Sequence, residues 1–201
     1  MKNIIPFLRK VSAAALMMVA IPAAVAATSS SDFTTEPDKS MAAAHESFLK
    51  GDMQKASASI DKAAASVKKE SEKVAASAKE GVKNAGDELD KLGQGVKRGA
   101  VKSDEELKKT FAHVDNELAK GWHATAEESM KAGNDATSTL KKAGESLSGA
   151  AKWSGTELKK AAQSSVNAAK KVGQGIKAGG EDVKKWFQDI GDGIKDVERK
   201  L

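Results

Sequence analysis

The sequence predicts an all-α protein: an elongated bundle of four long helices, arranged as two helical hairpins, with a C-terminal amphipathic helix. Pro37 is the last proline, so the following 164 residues lack the strongest helix breaker. Ala, Lys, Glu, Ser and Gly dominate this region, and Ala and Lys are good helix formers. Apolar residues recur at alternating steps of three and four, and no run of β-branched residues alternates as a strand would.

The most regular pattern is an apolar seam that runs from Leu140 to Leu201 with helical period. As one unbroken helix this segment would be roughly 90 Å long, at 1.5 Å per residue. Its many glycines favour two or three helical segments. Interior seams of Ala and Gly would allow neighbouring helices to approach closely.

Composition limits the chemistry and the partners. There is no cysteine, so disulfides, thiolate metal sites and thiol catalysis are excluded. The net charge of +5 depends on Lys2, Arg9 and Lys10; without them 30 basic and 28 acidic residues remain, well interspersed. We therefore expect no nucleic-acid partner. From residue 38 onward only 32 residues are large and apolar, which predicts a marginal fold, or one that tightens on a partner or surface.

The N-terminus reads as an export signal. A basic start is followed by an apolar run from Val11 to Ile21, and Ala24 and Ala26 provide the small residues of a signal-peptidase site. We predict that residues 1–26 are cleaved and that the mature protein is periplasmic or secreted, in a bacterium. The alternative, an uncut membrane anchor, is disfavoured by the short apolar run. Residues 27–37 are predicted to be a disordered linker.

The body of the protein is predicted to span residues 38–180. A first helix covers about 38–50, Gly51 ends it in a left-handed conformation, and Asp52 caps the next helix. Residues 44–63 place Gly, Ala, a bulky residue and Ala at the offsets of a tetratricopeptide hairpin, and so resemble half of that repeat. The 34-residue period does not follow, which favours a single repeat-like hairpin.

The next two helices are also predicted to be long. Ile60, Val67 and their successors up to Val96 recur about every seven residues, which indicates one continuous second helix with a narrow seam. Ser103 and Glu106 form a capping-box pattern at the start of the third helix. Gly121 is expected to interrupt or bend that helix.

Two internal sequence matches suggest a duplication. Residues 118–121 match residues 48–51 at an offset of 70, and residues 172–180 match residues 92–100 at an offset of 80. They favour a duplicated hairpin, 38–100 and 103–180, although chance similarity is a rival in so biased a composition. Gly133-Asn134-Asp135 is the predicted turn within the second copy. Residues 181–201 belong to neither copy and form the C-terminal amphipathic helix.

Candidate chemistry is sparse. His45, His113 and His123 are the only histidines, and none belongs to a sequence motif for a metal site. The GQG and GDG elements lack the strand and the Lys-Ser/Thr pair of a phosphate loop. With no nucleophile, base and acid in a recognisable pattern, we predict a protein that is not an enzyme and has no cofactor and no metal site.

A broader resemblance is compositional. Stretches such as AAASVKKESEKVAASAKEGVKNAG are similar to the helices of late-embryogenesis-abundant and apolipoprotein-type proteins. The resemblance covers most of residues 55–180 and implies weakly folded chains whose helices form on lipid or during drying. No motif ties the sequence to a specific family.

The C-terminal helix is the predicted binding element. Trp186 adjoins Phe187 and lies beside Lys184 and Lys185, an arrangement that suits an interfacial helix. The candidate surface comprises the apolar stripe of this helix: Val183, Trp186, Phe187, Ile190, Ile194, Val197 and Leu201.

Three functions remain open. The first is a non-enzymatic envelope protein that binds a membrane surface or another envelope protein through amphipathic helices, in stress protection. The second is a periplasmic interaction module that acts as an adaptor or chaperone. The third is a carrier of a small ligand or metal, built around the histidines. The sequence does not indicate the oligomeric state.

Overall fold

The computed structural model describes residues 35–172 and 180–201, and this part of the chain contains seven α-helices and no strand. They are α1 (Glu36–Leu49), α2 (Met53–Ser71), α3 (Ala76–Lys97), α4 (Asp104–Lys131), α5 (Thr137–Ser154), α6 (Lys160–Val172) and α7 (Gly180–Glu198). The all-α class is confirmed. The finer arrangement, four long helices in two hairpins, is not confirmed, because the predicted long helices are divided.

The first helix begins within the predicted linker. Thr35 is its N-cap and accepts a hydrogen bond from the backbone N–H of Asp38 at 3.2 Å, and Pro37 lies in the first turn, where its missing N–H has no cost. The signal peptide and residues 27–34 of the linker lie outside the described residues.

Helices α1 and α2 form the hairpin that the sequence predicted. Gly51 has a φ of 77°, which places it in the left-handed region that favours glycine. Asp52 then caps α2, because its carboxylate accepts a hydrogen bond from the N–H of Lys55 at 3.0 Å. The chain reverses here and α2 packs along α1.

The predicted second helix is two helices. α2 ends at Ser71 and α3 begins at Ala76, so the chain turns back and α3 packs along α2. Val74 and Ala75 are buried in this turn, and the N–H of Ala75 donates to Thr125 Oγ1 of α4 at 2.8 Å. The turn is therefore stabilised by a tertiary contact rather than by a local glycine or proline.

The fourth helix is the centre of the fold, since it contacts α1, α2, α3, α5 and α7. Ser103 caps it by accepting from the N–H of Glu106 at 3.1 Å, as predicted. Gly121 does not interrupt it, because the helix continues to Lys131. A β-carbon at Gly121 would lie 2.8 Å from Val82 Cγ2, so this glycine permits close approach of α3 and of the turn before it.

The seam from Leu140 onward is divided among α5, α6 and α7. The turn before α5 uses Gly133 with a φ of 73°, and Asp135 accepts from the N–H of Thr137 at 2.9 Å, which agrees with the prediction. Gly155, with a φ of 64°, ends α5. Helix α7 then packs against α4, α5 and α6.

The two internal sequence matches differ in how well the structure relates them. Gly51 ends α1 whereas Gly121 lies inside α4, so the offset of 70 does not relate equivalent turns. At the offset of 80, Ile60 and Val67 of α2 correspond to Leu140 and Leu147 of α5, and all four are fully buried. Most of residues 172–180 lies outside the described residues, so the duplication stays a prediction.

Candidate functional site

The predicted binding stripe faces the bundle. Ile190 and Val197 are fully buried and Ile194 is 5% exposed. The other members of the stripe are partly buried against the same core: Val183, Trp186, Phe187 and Leu201. The structure thus brings all seven predicted residues to one side of α7 and its C-terminal end, and that side is already covered.

Close packing at a glycine fixes the middle of α7. A β-carbon at Gly193 would lie 2.7 Å from Leu147 Cδ2 of α5 and 3.0 Å from the β-carbon of Ala162 of α6. The missing side chain therefore lets the backbone of α7 lie directly on both helices. This is the small-residue packing that the seam of Gly and Ala predicted.

Polar contacts surround this apolar centre. Ser165 of α6 donates to Asp189 at 2.5 Å, and Lys120 of α4 forms an ion pair with Glu198 at 2.7 Å. Lys159 forms another with Asp196 at 3.0 Å, although Lys159 itself is exposed. Exposed pairs of this kind contribute about 0–1 kcal/mol each, so burial of the apolar stripe dominates the docking of α7.

The N-terminal half of α7 is held more loosely. The ring of His123 from α4 stacks on Phe187 with centroids 3.9 Å apart, and His123 Nε2 lies 2.9 Å from the carbonyl oxygen of Phe187. This geometry fits the tautomer that donates from Nε2. A crevice of about 540 Å³ opens beside these two rings, between α4 and α7.

Burial lowers the pKa of His123, against the opposing effects of the Phe187 carbonyl and of Glu127. The neutral imidazole is therefore the form that fits against α7. Lys195, which also faces the crevice, adds to the lowering of the pKa.

The three histidines do not meet. His45 is buried and contacts Asp104 at 2.5 Å, His113 contacts Glu88 at 2.8 Å, and His123 lies under α7. Each therefore has a separate partner on a different side of α4. Among residues 35–172 and 180–201 no group of three or more His, Asp or Glu side chains could hold a metal ion.

A second concave surface was not expected from the sequence. It is a groove of about 310 Å³ between the start of α1, α2, α4 and α5. Leu118, Trp122 and Pro37 supply its apolar residues, and the side chains of the first two are almost fully buried. We call it the Trp122 groove. Grooves between helices of a bundle are common sites for small ligands.

Charged residues line the mouth of the Trp122 groove. Lys142 Nζ lies 3.8 Å above the ring of Trp122, close enough for a cation–π interaction. Glu70 pairs with Lys73 at 2.6 Å and lies 3.8 Å from Lys142. Lys69 and Glu145 also line the groove, so the rim carries both signs of charge.

The core contains a polar group that sequence reasoning missed. Asp38 of α1 is 1% exposed and Asp115 of α4 is fully buried, and an oxygen of each carboxyl group lies against the backbone of α5 at Gly149. Burial, together with the neighbouring carboxyl, raises the pKa of Asp115 well above its usual range. The available signal was position: Asp115 lies between Phe111 and Leu118 on the apolar stripe of α4.

No described helix has a stretch long and apolar enough to cross a membrane. The sequence resemblances remain compositional, and no specific family is indicated. Comparison with family models, with curated proteins and with solved structures finds no match to this chain.

Proposed function

We propose that this protein is a non-enzymatic exported envelope protein that binds an anionic membrane surface through α7. The observation that supports this most is the contrast between the two halves of the helix. Ile190, Ile194 and Val197 are buried, whereas Trp186 and Phe187 are only partly buried at the other end. Helix α7 is thus amphipathic along its length, and the aromatic residues near its N-terminal end are partly exposed to solvent.

Two lysines adjoin the aromatic end of α7, where Glu181 and Asp182 are also exposed. Lys184 and Lys185 are exposed and immediately precede Trp186. An aromatic side chain next to lysines is suited to the headgroup region, where the ring inserts and the ammonium groups contact lipid phosphates. First contact with the surface would therefore use Trp186 and Phe187, before the rest of the helix separates from the bundle.

The energetic cost of separating α7 is moderate. Burial of an aliphatic side chain of this size is worth about 1.5–3 kcal/mol, and only three in α7 are buried almost completely. Insertion of the same side chains at a bilayer surface would recover a similar free energy. The remaining contacts of α7 are partly buried apolar side chains, among them Phe187 stacked on His123, and ion pairs that contribute little.

Co-sedimentation with vesicles of phosphatidylglycerol and phosphatidylcholine tests the proposal, with the chain lacking residues 1–26. We expect binding that weakens with salt, and a shift of tryptophan emission to shorter wavelength. Phe187→Asp should remove most binding, since it places a charge where the helix would insert. Leu49→Asp is the matched control, because Leu49 is 45% exposed on α1, away from α7.

The proposal fails if wild-type protein does not sediment with anionic vesicles at low salt. Equal binding by the Phe187→Asp and Leu49→Asp variants would show that another surface is used. Circular dichroism of both variants without lipid checks that the bundle is intact. If the wild-type protein is folded but does not bind the vesicles, the remaining interpretation is that α7 binds another envelope protein.

The Trp122 groove supports a second candidate function, the binding of a small amphipathic molecule. Its apolar residues suit an aromatic or aliphatic body, and Lys69, on a rim that carries both signs of charge, suits a terminal anionic group. The dye 1-anilinonaphthalene-8-sulfonate combines these two features and reports binding by its fluorescence. Binding should weaken in Trp122→Leu and in Lys69→Gln but not in Lys91→Gln, because Lys91 is an exposed lysine of α3 outside the groove lining.

Undiminished dye binding by Trp122→Leu would eliminate the groove as the site. A control melt of this variant is needed, because Trp122 also packs against the core. Lys69→Gln avoids this difficulty, since Lys69 is exposed.

A further inference from the structure

Two carboxyl groups from different helices meet in the core beneath α5. Asp38 comes from the first turn of α1 and Asp115 from the middle of α4. A β-carbon at Gly149 of α5 would overlap Asp115 Oδ2 and would lie 3.1 Å from Asp38 Oδ1. Both carboxyl groups therefore lie directly against the backbone of α5, at a position that only glycine allows.

Both carboxyl groups are removed from solvent, because Asp38 is 1% exposed and Asp115 is fully buried. The charged side chains that act on them are Lys152 and Glu145, both on α5 and of opposite sign. Thr35 acts to lower the pKa of Asp38, and Trp153 of α5 acts to lower the pKa of Asp115, so both side chains are polar neighbours of the pair. His45 of α1 packs against Trp153, with ring centroids 5.5 Å apart, but its Nε2 contacts Asp104.

Two ionised carboxylates cannot be stable in this position. Each would be an acceptor without a donor from its neighbour, and the repulsion between them would act through a medium of low dielectric constant. A single proton changes this, because one carboxyl then donates to the other. Acids that lie this close in proteins share a proton for the same reason.

We propose that Asp38 and Asp115 form a proton-binding site that joins α1 to α4 beneath α5 and stabilises the fold in acid. With the proton bound, the pair is a buried hydrogen bond that fixes the first turn of α1. When the proton is lost as the pH rises, the two negative charges separate and the first turn of α1 loosens.

Loosening would also change the Trp122 groove. Thr35, Glu36 and Pro37 precede Asp38 directly and form the α1 side of that groove. The proton-binding site therefore controls one wall of a neighbouring concave surface. This coupling does not depend on what α7 binds.

The sign of the pH dependence follows from the direction of the shifts. Burial raises the pKa of Asp38 and of Asp115 in the folded protein above the ordinary value of 3.8. The stabilisation is thus complete below about pH 4 and is lost as the pH rises through the raised value. Within that window each pH unit multiplies the unfolding equilibrium constant by about ten for one proton released.

The test is urea unfolding of the chain without residues 1–26 at a series of pH values from 4.5 to 9, compared with variants. Wild type should become less stable as the pH rises. Asp115→Asn keeps the shape and can donate to Asp38 without a proton from solvent, so its stability should vary much less over the same range. Asp61→Asn is the matched control, since Asp61 is an exposed aspartate on α2.

Carbon-13 NMR of the aspartate carboxyl groups gives a second measurement that does not require unfolding. One resonance should titrate well above the usual range and should disappear in Asp115→Asn. Hydrogen exchange at the start of α1 should accelerate with pH beyond its intrinsic base catalysis in wild type only. The proposal is overturned if wild type and Asp115→Asn show the same pH dependence of stability, or if every aspartate titrates near pH 4.

Discussion

A methyl group added at Gly193 tests whether α7 is docked as described. In Gly193→Ala two effects oppose each other. Ala is better than Gly in the middle of a helix by about 1 kcal/mol. The new β-carbon, however, would lie 2.7 Å from Leu147 Cδ2 and 3.0 Å from the β-carbon of Ala162. Overpacking of this kind costs about 1–3 kcal/mol.

The overpacking should prevail because neither neighbour can move away easily. Leu147 is fully buried, so its side chain cannot turn towards solvent, and Ala162 can yield only if α6 shifts. We expect a net loss of about 1 kcal/mol in the docking of α7. That corresponds to a roughly fivefold increase in the population of the undocked helix.

Hydrogen exchange measured by mass spectrometry on peptides from residues 181–201 provides the assay. Gly193→Ala should exchange about fivefold faster in these peptides, with little change in α2 and α3. Gly180→Ala is the control, because a β-carbon there meets nothing within 4 Å. Unchanged or slower exchange in Gly193→Ala would refute the close packing of α7 on α5 and α6. If α7 binds membranes, the same variant should also bind vesicles more tightly.

Substitutions at Gly51, Ser103 and Phe111, the first two with a comparison variant, test the rest of the bundle. Gly51→Ala should lower stability by about 1 kcal/mol in urea unfolding, since its φ of 77° is unfavourable for Ala, whereas Gly51→Asn should cost less. Ser103→Ala should cost about 1 kcal/mol through loss of the bond to the Glu106 N–H, and Ser164→Ala, at an exposed position inside α6, should be neutral or stabilising. Phe111→Ala should cost about 3–5 kcal/mol, because Phe111 is fully buried and packs against Trp153 at a centroid distance of 5.1 Å; a loss below about 1 kcal/mol would contradict the described core.

The features that the sequence predicted well are those specified by adjacent residues. The turn at Gly51, the cap at Ser103 and the turn at Gly133 each use residues close to one another in the chain. Their chemistry is local, so it can be identified without knowing the fold. The all-α class follows in the same way, from a long region without proline.

The features that were missed depend on distant residues. Nothing between Ser71 and Ala76 marks a turn by composition, and the N–H of Ala75 is satisfied by Thr125, fifty positions away. Gly121 illustrates the opposite error. This glycine was expected to interrupt or bend α4, but the helix continues to Lys131, and the glycine makes room for Val82 and Val74. Glycine permits both a break and a close approach, and only tertiary packing determines which occurs.

The same distinction between local and distant residues applies to the candidate sites. The period of the α7 stripe identified which residues share a face, but period alone cannot show what covers that face. The Trp122 groove and the Asp38–Asp115 pair each combine residues from three or four helices. Their components are far apart in the sequence, so no local pattern could have joined them.

The docking of α7 sets a condition on its proposed function. The residues that would insert into a membrane include Ile190, Ile194 and Val197, which the bundle already buries. Binding and docking therefore compete for one apolar face. The affinity for a surface is reduced by the fraction of molecules in which α7 is undocked, so variants that loosen docking must strengthen binding. A protein that bound through a permanently exposed face would show no such relation, and this inverse coupling is the property that distinguishes a releasable α7 from a fixed one.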